Sequence, residues 1–420
     1  MLAVRSAVLF LLGGFIVACS GGGSSTASGG AGAGGSGGGS GAGSTYPKPC
    51  SDLYDPTRLV QFDLKIAPDQ LTLMERDCTQ KVKQYRPATL RYGSETVDVM
   101  VRLKGNWSWR CDKKQFLVSF NETDPQGRFH GLRKLVFDAP WYDVTLLAER
   151  MGASFMHRVG AQWSCVNHAK LFLNGEYYGL YANVERLDKE YLQRHFPDAE
   201  ADGNLYDGGV ELRTNEGVAD VSRRDELMAS VCDLATIERL VDLNQAIRVW
   251  AASALLPDPD SYWAGVEINY YLYDHPTRGF LFFPYDMDMT MLAGSTDVAT
   301  SSVRVRVLPE LVSADPFTYE NSAWKREPLL QTVLASERYC SQFVSELRSA
   351  RQAYDPVLMT SELDAWAAQI DDALRDDPNK PYSYEDHLAA IATVKSFMSQ
   401  RVAFIDGWLA KATCPVLSKP

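Results

Sequence analysis

Asp286 and Asp288 interrupt an aromatic and methionine run, "FFPYDMDMT" at 282–290. An ionised carboxylate in such surroundings must be paired, hydrated or bound to a metal, because burying it bare is too costly. A turn centred near Pro276–Thr277 folds 268–288 into a hairpin and sets Asn269 opposite the stretch Pro284–Asp286. The loop ahead of it carries Asp260, nine residues before Asn269. Asp260, Asn269 and Asp286 thus offer only oxygen donors, which suits a hard divalent cation, Mg²⁺ or Mn²⁺. Strand alternation predicts Asp286 and Asp288 on one face and Tyr285, Met287 and Met289 on the other, with Asp288 in a supporting role. Asp258 competes with Asp260 in "PDPDSYW"; Asp260, beyond the second proline, is the preferred residue. A lone DxD also occurs as the metal site of sugar-nucleotide transferases, so "DMD" gains weight only through its two companions.

The elements that must hold these residues follow from patterning. Residues 60–66 read as a strand and 68–82 as a short helix; "ATLRYG", 97–105 and 115–120 read as further strands. Residues 143–160 have helical spacing, with Asp143 or Thr145 as N-cap and Gly160 as the stop. "AKLFLNGEYYGLYANVE" (169–185) is a hairpin turning at Asn174-Gly175. "RLDKEYLQRHF" is a helix, and 240–256 is a strong helix ended by Pro257. Residues 203–230 show no clear pattern. Beyond about 320 the segments 323–350, 359–375 and 384–412 read as helices. Strands crowd the first half and helices the second, which predicts an α+β fold of two lobes.

The order helix, loop Asp, Asn, hairpin, Asp is the layout of the protein-kinase catalytic segment, where the first Asp receives the substrate hydroxyl proton and the Asn and last Asp hold magnesium. The letters differ, with neither HRD nor DFG. On this layout Asp260 is the catalytic candidate, and Asp286 and Asn269 are the metal ligands. The upstream half supplies the rest of a nucleotide site: Lys113 and Lys114 at a strand start, and Gly105 and Ser108 in "KGNWSW" as backbone and hydroxyl donors to phosphate. Glu149 lies on the helix, and Glu185 lies in the hinge-like "VERLDKEYL". Plainer roles compete: a solvated basic pair for the lysines, and an exposed acid pairing with Arg150 or Lys170 for Glu149.

"VRLKGNWSW…KKQFLVSF", "LFLNGEYYGLYANVERLDKEYL" and "NYYLYDHPTRGFLFFPYDMD" resemble the CotH family, named for a bacterial spore-coat protein, over about Val60 to Leu292. The resemblance implies a bilobal protein-kinase-like fold, a β-rich N-lobe at about 58–185 and a helical C-lobe at about 186–415. It further implies an atypical kinase that uses ATP and Mg²⁺ or Mn²⁺ to phosphorylate Ser or Thr of a protein acceptor. Two positions depart from the pattern: Tyr285 stands where Trp is expected, and Asp207 in "GNLYDGG" stands where Lys is often expected. The second removes a positive charge. The alternatives are a catalytically weak surface-binding or adhesion protein that keeps the fold, and a kinase-fold transferase of another group.

Composition bounds the remaining classes. The net charge of −11 over 420 residues disfavours a nucleic-acid partner. Residues 1–19 read as a signal segment whose "IVAC" resembles the lipobox, making Cys19 the candidate lipidation site. Residues 20–45 contain only Gly, Ser, Ala and Thr, a flexible tether with a reach of roughly 25–30 Å. The domain at 46–420 is then expected on the extracytoplasmic face of a bacterial envelope, held to the membrane through Cys19. With Cys19 lipidated, the seven scattered cysteines that remain suit disulfides better than zinc and leave one unpaired. Neither GxSxG nor HExxH is present, and the six histidines are dispersed, which argues against serine-hydrolase and zinc-protease chemistry.

Overall fold

A computed structural model describes residues 46–106, 108–291, 293–297, 302–306, 309–320 and 327–414. Its first half is strand-rich: β1 (Val60–Lys65), α1 (Pro68–Gln80), β2 (Arg86–Tyr92), β3 (Glu95–Leu103), β4 (Phe116–Ser119), β5 (Lys134–Asp138), α2 (Ala148–Arg158), β6 (Val166–Leu173) and β7 (Glu176–Val184). These strands close into a barrel in the order β1-β2-β3-β4-β5-β7-β6, sealed by a parallel pairing of β1 with β6. Closure leaves no open edge, and Phe62, Leu64, Val101, Phe116, Val118, Leu135, Phe137, Leu171 and Tyr181 fill the interior. Asn174 and Gly175 both take positive φ, 54° and 88°, as a two-residue hairpin turn requires.

The second half opens with α3 (Lys189–His195), β8 (Asn204–Asp207), β9 (Glu211–Leu212), α4 (Ser222–Ala229), α5 (Leu234–Leu240) and α6 (Leu243–Leu255). Next come β10 (Tyr270–His275) and β11 (Gly279–Pro284), which join β8 and β9 in a four-stranded sheet ordered β11-β10-β8-β9. A small ribbon follows, β12 (Ala293–Asp297) with β13 (Ser302–Arg306), then α7 (Pro309–Val312), α8 (Pro328–Leu334), α9 (Glu337–Ala353), α10 (Pro356–Arg375) and α11 (Tyr384–Leu409).

The near-continuous apolar run of β10–β11 follows from burial on both faces. Tyr270, Leu272, Phe280 and Phe282 enter the main helical core with Trp250 of α6, while Tyr271, Tyr273, Leu281 and Phe283 pack with Tyr191 and Phe196 at α3. Gln245 of α6 fixes the register: its side-chain amide exchanges two hydrogen bonds with the backbone of Phe282, at 2.6 and 2.9 Å.

The last two helices fold back onto the barrel. Asp377, between α10 and α11, accepts from Lys113 Nζ at 2.5 Å and from the Leu180 amide at 2.8 Å. Gly179 makes room for it: a Cβ there would stand 2.7 Å from the Asp377 carboxylate. By length and apolarity α11 is long enough to cross a membrane, yet Ala390, Val394, Phe397, Met398 and Ile405 along it are core residues.

Three expectations are corrected. The helix expected over 143–160 begins at Ala148 with Leu147, not Asp143 or Thr145, at its N-cap; Asp143 ties down the loop ahead of it, accepting the amides of Thr145 and Ala148 at 2.8 Å each. The run 323–350 is two helices, α8 and α9, broken at Ala335-Ser336, and its residues 323–326 lie outside the described residues. Disulfides join Cys50–Cys165, Cys78–Cys111 and Cys340–Cys414, and Cys232 is bonded too, so no described cysteine is the expected free thiol. Cys19, the signal segment and the tether lie outside the described residues.

Candidate functional site

The hairpin register places Tyr270 opposite Pro284, and the Tyr285 amide donates to the Asn269 carbonyl at 3.1 Å. Just beyond this last pair the strands part. Asn269 at φ 61° and Asp286 at φ 56° both take the left-handed conformation, which short polar side chains tolerate best. β11 has ended at Pro284, so Asp286 and Asp288 are aimed by the left-handed residue rather than by strand alternation; the two carboxylates still lie close enough to repel each other, and both feel Asp138.

Asn269 donates its side-chain amide to the Asp260 carbonyl at 2.9 Å and to Asp260 Oδ2 at 2.7 Å. The Asp260 amide in turn donates to Asp258 Oδ1 at 2.7 Å. Asp258 is buried, and Thr290 also reaches its carboxylate, at 3.4 Å; Asp260 is the more open of the two. The Met291 amide donates to the Pro257 carbonyl at 2.9 Å, tying the Asp260 loop to the Asp286 loop. Asp260, Asn269 and Asp286 are therefore brought together.

α2 supports the Asp286 loop at close range. A Cβ on Gly152 would meet Met287 Cβ and Sδ at 3.0 Å each, so glycine is what lets the helix approach. Glu149, one turn earlier and buried, lies by the Met287 backbone N–H, which favours its charged form against burial and the neighbouring acids. No ion pair with a lysine forms at Glu149 among the described residues; it holds a loop instead.

The lysine facing this cleft is Lys104, which directly follows β3 and is ion-paired with Asp138 at the end of β5. Alternation along β3 carried the signal: Val99, Val101 and Leu103 point into the barrel, leaving Met100, Arg102 and Lys104 the other face. Nearby Lys83 donates to Asn106 Oδ1 at 2.7 Å, and its ammonium is held below its usual range by partial burial and then by Arg102 and Lys104. In the same loop Gly105 has φ 110°, and Ser108 accepts from Gln115 at its hydroxyl and carbonyl, at 2.9 and 3.0 Å.

Three expected nucleotide contacts are spent elsewhere. Lys113 is wholly buried against Asp377 and lies over the Tyr181 ring. Lys114 is bound to the Cys111 carbonyl and to Glu75, at 2.8 and 3.0 Å. Glu185 takes a two-pronged grip from Arg194, at 2.8 and 2.6 Å, plus the Cys165 amide at 2.9 Å. A ligand would have to break these bonds to reach any of them. Asp207, the unexpected acid, is matched by Arg213 at 2.7 Å and by the Tyr271 hydroxyl at 3.1 Å.

The electrostatics of the cleft are lopsided. Burial first, and then Asp138, push the Asp286 carboxyl up to about 7, with Lys104 pulling the other way. Burial and neighbouring acids also raise Asp258, Asp288 and Glu149 well above the usual carboxylate range, and burial raises Asp260. Among the described residues no three His, Cys, Asp or Glu side chains converge tightly enough to form a metal cage by themselves. The residues nevertheless fit magnesium or manganese: the donors are all oxygen, their charge is under-compensated, and Mg²⁺ is ordinarily bound through one or two carboxylates plus substrate phosphates.

The sequence pattern of the CotH kinase protein family matches residues 101–405. Inner spore coat protein H of Bacillus subtilis (strain 168) is 22% identical over 260 residues, spanning 56% of this chain and 69% of that protein. Among solved structures, the Helicobacter pylori proinflammatory kinase CtkA is 11% identical with a TM-score of 0.37, covering 71% of this chain and 94% of its own. HipA of the Shewanella oneidensis MR-1 toxin–antitoxin system is 14% identical with a TM-score of 0.33, covering 67% and 60%.

Proposed function

The chain belongs to the CotH kinase family and is a kinase-like protein, and from that premise we propose that it transfers a phosphoryl group from ATP to a Ser or Thr hydroxyl of a protein acceptor. The observation that carries this is the joining of Asp260, Asn269 and Asp286 at the open end of one hairpin, across the cleft from Lys104. Asp260, oriented by Asn269, accepts the proton of the acceptor hydroxyl as that oxygen bonds to the γ-phosphorus and the bond to the departing nucleoside diphosphate breaks. Lys104 and the Gly105–Ser108 loop lie to the phosphate side. Asp286 and Asn269 would hold Mg²⁺ or Mn²⁺, which when bound neutralises charge on the phosphates. Catalysis on this reading is positioning and charge stabilisation.

In this proposal residues 1–19 direct export and residues 20–45 are a flexible leader, so the domain works outside the cytoplasm of a bacterial envelope. Incubating the purified protein with labelled ATP and Mg²⁺ or Mn²⁺ tests the chemistry; equal labelling by wild type and Asp286→Ala would end it. A second reading, nucleotide or partner binding without transfer, draws on one observation. Lys104 is paired with Asp138 rather than with Glu149, whereas protein kinases need their Lys–Glu pair in place. ATP is also scarce outside the cytoplasm. A melting temperature raised by Mg²⁺ and ATP, with no product by mass spectrometry, favours that reading; a product carrying another group favours a different transferase.

A further inference from the structure

Arg401 is among the largest fully buried side chains in the molecule, and it stands on α11, far along the chain from any residue of the cleft. Its guanidinium donates only to backbone carbonyls. Two belong to the end of α6, Ala254 and Leu255, the latter at 3.4 Å; two belong to the segment after β13, Val312 at 2.9 Å and Ala314 at 2.8 Å. No carboxylate pairs with it at salt-bridge distance among the described residues, and burial pulls the guanidinium pKa down to about 10. A cation is well placed at the C-terminus of α6, where the last carbonyls have no partner inside the helix.

The end of α6 is also where the cleft begins. Leu255 is followed by Leu256, Pro257 and Asp258, then Pro259 and Asp260. Two prolines remove two backbone donors from this stretch, so its position depends in part on what holds either end. On the cleft side it is held by Met291 at Pro257 and Thr290 at Asp258. On the far side it is held by Arg401. The same guanidinium ties in the 312–314 segment, which Trp408 of α11 also secures through Asp315 at 2.8 Å.

We propose that Arg401 is a positioning residue for the phosphotransfer site, fixing where α6 hands over to the Asp258–Asp260 loop and locking that loop to the segment 312–314. This rests on the phosphotransfer reading for its kinetic arm only. The planar fork matters more than the charge: a lysine ammonium has three donors on one nitrogen and cannot span four carbonyls on two elements.

The test uses the whole chain carrying Arg401→Lys, compared with wild type by phosphate transfer per nucleotide-binding site and by amide hydrogen exchange. Turnover per site should fall about 100-fold, the scale of a 1 Å misplacement, with nucleotide affinity changed by less than about threefold. Exchange should quicken at 255–261 and 312–316 and stay as in wild type along the barrel strands. Unchanged turnover per site together with unchanged exchange at 255–261 overturns the proposal. So does exchange that quickens throughout α6 and α11, the mark of a residue that merely holds the core together. If wild type itself transfers no phosphate, the functional reading fails and the exchange arm alone decides. Should Arg401→Lys not fold, Arg401→Met, which removes the buried charge but keeps an apolar stem, takes its place; failure of both to fold makes Arg401 a structural support and ends the proposal.

Discussion

Asn269 holds Asp260 by two atoms at once, a backbone carbonyl at 2.9 Å and a carboxylate oxygen at 2.7 Å, so backbone and side chain of the aspartate are set by one amide. Replacing Asn269 with Ala removes both bonds and also puts a Cβ-bearing residue without a polar group at φ 61°. The variant is expected to lose about 1.5–3 kcal/mol in urea unfolding and about 100-fold in transfer. Asn269→Gly, which relieves the backbone alone, should recover part of the stability and none of the activity.

Asp286→Asn keeps shape and removes a charge that the cleft does not balance. The ligand-free variant is expected to be at least as stable as wild type, while the rise in melting temperature with Mg²⁺ and ATP disappears and transfer falls about 10²–10³-fold. A ligand-induced shift equal to that of wild type would take Asp286 out of the metal site.

Gly152→Ala should cost about 1–3 kcal/mol, because the new methyl meets Met287 Cβ, which sits on the backbone and cannot swing aside. The gain in helix propensity is smaller, about 1 kcal/mol. The displaced Met287 carries Asp286 with it, so nucleotide-dependent stabilisation should weaken in parallel, measurable by thermal shift.

Lys113 separates the structural lysine from the functional one. Lys113→Met leaves Asp377 buried without its partner and is expected to cost roughly 3–5 kcal/mol. Lys113→Met combined with Asp377→Leu should recover much of that loss, and the double variant should retain transfer. Loss of transfer in a stable double variant would return Lys113 to the nucleotide site.

His168 makes the fold acid-sensitive. It is wholly buried, its Nε2–H donates to the Leu146 carbonyl at 2.6 Å, and burial followed by Arg150 pushes it down to about 3. The unfolded histidine takes up a proton near pH 6.5 and the folded one does not. Its contribution is therefore complete above pH 6.5 and declines as the pH falls toward 3, by at most about 1.4 kcal/mol per unit. His168→Gln should flatten the slope of stability against pH in that window, in denaturant titrations at a series of pH values.

The hairpin and its three oxygen donors were legible because they are local: Asn269, the turn and Asp286 lie within one short stretch whose register the turn sets. Lys104 was not. Choosing it over Lys113 requires Asp138, and β5, which carries Asp138, is a short strand that pairs with β4 across a long loop and with β7 from beyond α2 and β6. Barrel closure through β1 and β6 is hidden for the same reason. Glu149 was placed on its helix correctly, but what it faces is the backbone of Met287, and a backbone amide has no letter in the sequence. The acid at Asp207 looked like a lost charge until Arg213 came beside it.

Asp377 and Arg401 have one more consequence, for the order in which the molecule is made. Every residue of the cleft leaves the ribosome before α10 and α11 do. Until those helices arrive, Lys113 has no counter-ion and the end of α6 has no floor, so a growing chain already holds Asp260, Asn269 and Asp286 without the frame that sets them. Synthesis from N- to C-terminus thus delays assembly of the cleft until its last supports have been delivered.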